Sequence, residues 1–260
     1  MTPLLELRDI SIQFGGLKAV SNLSLTIERE QIVGLIGPNG AGKTTVFNLI
    51  TGIYRPTAGG VFFNSENINK KRSYERTWLG IARTFQNIRL FKQLTVAENI
   101  IFAMHYNRDI GIFSSMLRLP HFWRERNEVN KKANEYLEYI NMLDMRNERA
   151  ENLPYGRQRE LEIVRAIATG AELLLLDEPA AGMNPQETKQ LMRFIDKVRN
   201  DMHKSVLLIE HDMGLVMGIS DKVAVLDYGQ KIVEGKPSEV QHNKKVIETY
   251  LGKGDDDAES

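Results

Sequence analysis

Residues 31–51, QIVGLIGPNGAGKTTVFNLIT, constrain the fold more than any other stretch. The apolar run Ile32 to Ile36 predicts a buried strand. Gly37-Pro38-Asn39-Gly40-Ala41-Gly42 follows as a loop. Lys43-Thr44-Thr45 then opens an apolar-periodic helix that stops before Gly52. Strand, glycine-rich loop and helix in this order are the context in which G-x-x-x-x-G-K-[ST] becomes a phosphate site. Glycine lets the backbone turn its N–H groups inward, and the new helix adds unpaired N–H groups and a positive dipole end. Lys43 supplies a full positive charge for the β- and γ-phosphates, and the Thr44 hydroxyl is a candidate ligand for Mg²⁺. The loop predicts a nucleoside triphosphate and leaves open what its energy drives.

A chain of 260 residues is enough for one large α/β domain with a smaller one inserted. The net charge is zero, so bulk electrostatics offers no attraction to nucleic acid or anionic lipid. There are no cysteines, which excludes disulfides and thiol catalysis and fits a cytosolic setting. The N-terminal MTPLLELRD reads as lacking a signal-peptide core. No uncharged apolar run approaches the ~18–20 residues that span a bilayer, so any membrane role must come through a partner.

Two strands are predicted over residues 4–14 and 19–28, with a turn at Gly15-Gly16. The alternation changes phase between Leu7 and Ile10, which predicts a bulge. Phe14, just before the turn, could stack on a nucleobase or serve as an ordinary strand-edge aromatic. A short strand is predicted at Val61–Asn64 and a helix near 70–80. Gln86 follows Arg83-Thr84-Phe85; its amide oxygen can ligate Mg²⁺ or orient water, although a surface glutamine is the plain alternative.

Residues 87–152 read as an all-helical insertion. Thr95 with Glu98 is a capping box for a helix through about Tyr106. A second helix, about 124–143, carries Val129, Ala133, Tyr136, Leu137 and Ile140 on one face. Between them, Asp109–Asn127 is either a partner surface or a loop packed on the helices. Leu153-Pro154-Tyr155-Gly156 then breaks the chain before a charged helix from Arg157 to about Thr169.

Leu173–Leu176 is an apolar run ending in Asp177-Glu178, the pattern of a buried parallel strand that delivers acids to the ligand edge of a sheet. Asn184-Pro185 with Glu187 opens the next helix. Ser205–Ile209 predicts another buried strand, ending at Glu210-His211-Asp212. A hairpin over 223–233 and a last helix near 243–251 follow, and the acidic end, 253–260, is expected to be disordered. Phosphoryl transfer needs a held Mg²⁺, neutralised charge and an aimed water. Asp177 suits the metal and Glu178 the water, and neighbouring strand residues point to opposite faces. His211 could bond a γ-phosphate oxygen; an interior histidine with satisfied partners is the alternative.

With these motifs in place, the chain resembles the ATP-binding-cassette ATPases along essentially its whole length. GPNGAGKTT resembles their Walker A sequence and LLLLDEP their Walker B with the catalytic glutamate. Gln86, His211, Phe14 and 181–184 fall at the Q-loop, H-loop, A-loop and D-loop. The resemblance implies a P-loop NTPase fold of class α/β. Its core is a mostly parallel sheet with an N-terminal antiparallel β subdomain, over 1–86 and 153–252, and the inserted α-helical subdomain is 87–152. It implies ATP and Mg²⁺ as cofactors, with Lys43, Glu178 and His211 catalytic. Nucleotide contacts fall on Phe14, Gly37, Pro38, Asn39, Gly40, Ala41, Gly42, Lys43, Thr44, Thr45 and Gln86. Thr44, Gln86 and Asp177 are the implied metal ligands.

One motif departs: the usual LSGGQ reads LPYGR at 153–157. Pro154, Tyr155 and Gly156 stand where the family contacts a nucleotide held by a second subunit. Gly156 is retained ahead of a helix N-terminus; the serine hydroxyl is lost. LPYG, DEPAAGMNP and LLIEHDMGLVMGISD resemble the LivG-type ATPases of branched-chain amino-acid importers. That implies a peripheral subunit on the cytoplasmic face of the membrane. It would pair with a second ATPase subunit, two transmembrane permeases and, indirectly, an extracytoplasmic amino-acid-binding protein. Competing readings are an ABC ATPase for another cargo, such as lipopolysaccharide or urea, a soluble ABC ATPase acting on DNA or ribosomes, and a non-catalytic nucleotide module. A single cassette without long heptads or basic bias argues against a nucleic-acid partner.

Overall fold

The computed structural model describes residues 2–105 and 120–251. The expectations for 106–119 and for the acidic end therefore lie outside the described residues.

Two sheets organise the chain. In the first, β1 (Leu5–Phe14) pairs antiparallel with β2 (Leu17–Ile27) and with β4 (Ala58–Phe63), which pairs with the short β5 (Glu66–Asn67). The predicted bulge is present: the β1–β2 register shifts between Leu7 and Ile10, with Asp9 at φ 48° and its N–H bonded to Ser24 Oγ at 2.8 Å.

The second sheet contains β3 (Ile32–Ile36), β6 (Ile81–Arg83), β7 (Leu173–Asp177), β8 (Ser205–Ile209), β9 (Lys222–Asp227) and β10 (Gln230–Gly235). Its order is β10-β9-β3-β8-β7-β6, parallel except for the β9–β10 hairpin. The apolar runs have a simple cause: both faces are covered. Leu173 and Leu175 pack with the first sheet, whereas Leu174 and Leu176 pack with the helices on the opposite side. Val33 and Leu35 divide from Ile32 and Ile36 in the same way.

The helices are α1 (Lys43–Ile50), α2 (Ser73–Trp78), α3 (Val96–His105), α4 (Pro120–Tyr139), α5 (Tyr155–Ala168), α6 (Pro185–Met202), α7 (Met213–Ile219), α8 (Pro237–Gln241) and α9 (Lys244–Leu251). Both predicted capping boxes form. Thr95 Oγ1 accepts from Glu98 N while Glu98 accepts from Thr95 N, and Asn184 accepts from Gln186 and Glu187 N–H. Helix α4 begins at Pro120 and ends at Tyr139, earlier at both ends than predicted, so 120–127 is helix rather than loop. Ile140 and Met142 are still buried, because the chain folds back with Met142 N–H on Leu137 O. Among the described residues, no helix is long and apolar enough to cross a membrane.

Candidate nucleotide-binding site

The loop after β3 is built for close backbone approach. Gly37 lies at φ 149°, and a Cβ there would stand 2.1 Å from Leu226 O on β9. Gly42, the N-cap of α1, lies at φ 100° with Ala19 O only 2.7 Å from where a Cβ would sit. An L side chain at either position meets backbone that cannot move aside. The hairpin tip secures the loop from above, with Gly229 N–H on Ala41 O at 3.0 Å and Ser21 N–H on Gly229 O at 2.8 Å.

Lys43 is buried, and its Nζ donates to Gly37 O at 2.6 Å and Pro38 O at 3.0 Å. The ammonium is thus held over the cradle by two loop carbonyls, where a phosphate can take their place. Phe14, Lys18, Asn39, Gly40, Ala41, Gly42, Lys43, Thr44, Thr45, Glu178 and Tyr228 line one open cleft of ≈ 670 Å³. Phe14 is 43% exposed and meets Tyr54 edge-on at 5.0 Å, so it is a cleft wall and not a core residue. Tyr228, at the hairpin tip, and Lys18 line the same cleft and were missed; nothing in their local sequence distinguishes them.

The acids at the end of β7 separate, but not by strand alternation. Asp177 closes the strand, and its Oδ2 accepts from Arg83 Nη2 at 2.6 Å. Glu178 has already left the strand, at φ 45°, with its N–H on Ile209 O at 2.9 Å. The expectation of opposite strand faces is corrected: a left-handed turn, not the pleat, divides the two carboxylates. Gln86 Nε2 donates to Glu178 Oε2 at 2.8 Å, and His211 Nδ1 lies 3.7 Å from the same oxygen. The His211 side chain is 67% exposed, so the interior-histidine reading is also corrected. Gln86, Glu178 and His211 therefore converge beside the phosphate loop from three different strand ends.

Beneath them lies a residue the sequence reading passed over. Glu210 is buried, accepts Ala180 N–H at 2.8 Å and His211 N–H at 3.2 Å, and so holds the loop after Glu178 to the end of β8. Burial pushes its carboxyl above the usual carboxylate range, against the opposing effect of those backbone donors and His211. An acid directly before His211, at the end of an apolar strand, was the available signal.

The signature segment is not brought to this cleft. Helix α5 starts at Tyr155, two residues before the predicted Arg157, with Pro154 as N-cap and Gly156 inside the first turn. Pro154 and Gly156 join Met183, Glu187 and Leu191 around a separate hollow of ≈ 360 Å³. Tyr155, in place of glycine, makes contacts of its own. Its hydroxyl donates to Ala181 O at 3.0 Å and lies 3.3 Å from Arg159 Nη2. Arg159 is fully buried. It pairs with Glu162 at 2.7 Å and donates to Phe85 O and Gln86 O, each at 2.7 Å. One side chain thus ties the signature helix to the segment carrying Gln86.

Among the described residues, no group of three or more His, Cys, Asp or Glu could hold a metal on protein ligands alone. The Thr44 hydroxyl, Gln86 amide and Asp177 carboxylate are sparse, hard oxygen donors. Such a set fits Mg²⁺, which keeps waters and takes its remaining ligands from substrate phosphates.

The family model for ABC transporters matches residues 20–181. The chain belongs to the ABC transporter family. A second model, for branched-chain amino acid ATP-binding cassette transporters, matches residues 230–256. The chain is 47% identical over 250 residues to the high-affinity branched-chain amino acid transport ATP-binding protein LivG of Salmonella typhimurium, covering 96% of this chain and 98% of that one. It is 44% identical to BraF of Pseudomonas aeruginosa, described in the same words, with the same coverage. Among solved structures, the ADP conformation of MJ1267, an ATP-binding cassette of an ABC transporter, aligns with a TM-score of 0.84 and 29% identity. That alignment covers 97% of this chain and 100% of MJ1267. The fold is that of an ABC ATPase.

Proposed function

We propose that this chain is the ATP-hydrolysing subunit of a branched-chain amino-acid importer. The observation that carries the reading is its similarity to LivG over 96% of its length, joined to a separate C-terminal match to the model for branched-chain amino acid ATP-binding cassette transporters.

The site residues take these roles. Phe14 stacks on adenine. The N–H groups of the loop from Gly37 to Gly42, with those of Lys43, Thr44 and Thr45 at the start of α1, receive the phosphates. Lys43 exchanges its two loop carbonyls for β- and γ-phosphoryl oxygens. Thr44, Gln86 and Asp177 would hold Mg²⁺, which supplies charge neutralisation when bound. Glu178 accepts the proton of the attacking water, and Gln86 fixes the orientation of its carboxylate. His211 donates to the γ-phosphoryl group.

Pro154, Tyr155 and Gly156 face outward to a second ATPase subunit, whose nucleotide they complete. A heterodimer of two cassettes, two permeases and an extracytoplasmic binding protein make up the assembly, on the cytoplasmic face of the membrane. The segment that carries α3 and α4 is the arm that meets the permeases. Exposed Phe91 and Phe102 stack edge-on at 4.7 Å there and border a hollow of ≈ 270 Å³ that also touches Arg83 and Arg165. The test is affinity capture of the tagged chain from detergent-solubilised native membranes. Two permeases and a second, different cassette are expected; a chain recovered alone, or with ribosomes or DNA, overturns the transport reading.

A further inference from the structure

Arg83 has been given no role at the nucleotide, yet its side chain joins two of the three elements that carry the proposed metal ligands, β7 with Asp177 and α1 with Thr44. It is the last residue of β6, and Asp177 is the last residue of the neighbouring parallel strand, β7. Arg83 is in register with Leu175, and Thr84 N–H bonds Leu175 O at 3.0 Å, so both backbones are fixed by the sheet. The guanidinium then divides its two amino groups. Nη2 bonds Asp177 Oδ2 at 2.6 Å, and Nη1 bonds Asn48 Oδ1 at 2.7 Å. Asn48 lies on α1 four residues after Thr44, on the same helix face one turn along.

The site is enclosed. The Arg83 side chain is 8% exposed and that of Asp177 11%. The Phe47 and Phe85 rings stand 5.4 and 5.0 Å from the guanidinium carbon. Arg83 Nε is buried with no hydrogen-bond partner. A buried pair of this kind is a weak source of net stability, because desolvation offsets most of the attraction. Its value is geometric: a planar fork fixes two acceptors at once, which a lysine ammonium does not reproduce.

We propose that Arg83 is a positioning residue for the metal site, holding Asp177 by Oδ2 against the Thr44-bearing face of α1 so that engagement of the cation falls to Oδ1. This rests on the nucleotide-site reading given above. Groups that orient a metal ligand commonly affect metal affinity by about 10–100-fold when removed.

The experiment uses the full chain and fluorescent mant-ATP, titrated once with Mg²⁺ and once with EDTA. Wild type is expected to bind more tightly with Mg²⁺, by about tenfold or more. Arg83→Met is expected to lose most of that gain while its affinity in EDTA stays within about twofold of wild type. Arg83→Lys, which keeps the charge and loses the fork, is expected to behave like Arg83→Met. Asn48→Ala removes one of the two partners and serves where Arg83→Met does not fold; a partial loss in the same direction is expected. An unchanged Mg²⁺ gain in the variants overturns the proposal. So does an equal loss with and without Mg²⁺, or a wild type indifferent to the metal. Failure of wild type to bind mant-ATP at all, or Lys43→Ala binding as wild type does, overturns instead the nucleotide-site reading itself.

Discussion

Replacing Arg159 by leucine tests how the signature helix is fastened to the segment carrying Gln86. The substitution removes a guanidinium that is fully buried and satisfies three acceptors at 2.7 Å: the Glu162 carboxylate and the carbonyls of Phe85 and Gln86. Glu162 is itself 2% exposed and would keep the Arg89 N–H, at 2.9 Å, and the nearby Arg165 charge. Breaking a buried pair from one side costs about 3–5 kcal/mol, and the neighbouring Arg165 charge places this case at the lower end. For a chain of this size that corresponds to a melting temperature lower by roughly 10 °C. Urea unfolding followed by circular dichroism reads the change directly. The double variant Arg159→Leu with Glu162→Leu removes both charges and is expected to recover about half of the loss or more. A single-variant shift below about 1 kcal/mol, or a double variant no better than the single, would refute the reasoning.

Three further outcomes follow from the site. Phe14→Ala should weaken ATP binding by about 1–3 kcal/mol, the usual value of stacking one base on an aromatic ring; calorimetry showing unaltered affinity removes Phe14 from the base site. Glu178→Gln should lower phosphate release from the membrane complex by about 10²–10⁴-fold while nucleotide binding persists, and an unchanged rate removes Glu178 from catalysis. Glu210 has its folded carboxyl raised above the ordinary 4.5 by burial, so in that window the folded state binds more protons than the unfolded. Stability therefore falls as pH rises from the unfolded value through the raised folded one. Glu210→Gln should flatten that limb of a stability–pH curve; an identical slope in wild type and variant counts against it.

Local chemistry explains what could be read in advance. The phosphate loop is specified by contiguous residues, and so are the caps at Thr95 and Asn184 and the bulge before Ile10. What escaped the sequence depends on distant partners. Arg83 and Asp177 are 94 positions apart, Arg159 and Phe85 74, and Tyr155 and Ala181 26. No pattern within either segment announces such pairs. Helix α7 was missed because Gly214 and Gly218 lower its intrinsic helicity. The Glu178 turn was misread for another reason: a positive φ at a non-glycine residue is imposed by the neighbouring strand end, here Ile209 O, and leaves no trace in sequence.

The most direct test of the central claim is phosphate release by the co-purified complex in proteoliposomes, with leucine and its binding protein added on the extracytoplasmic side. Hydrolysis that rises with leucine, requires Mg²⁺ and disappears in Lys43→Ala is the predicted result. Release that ignores leucine, isoleucine and valine alike, in a complex that still hydrolyses ATP, would contradict the assignment to branched-chain amino-acid import.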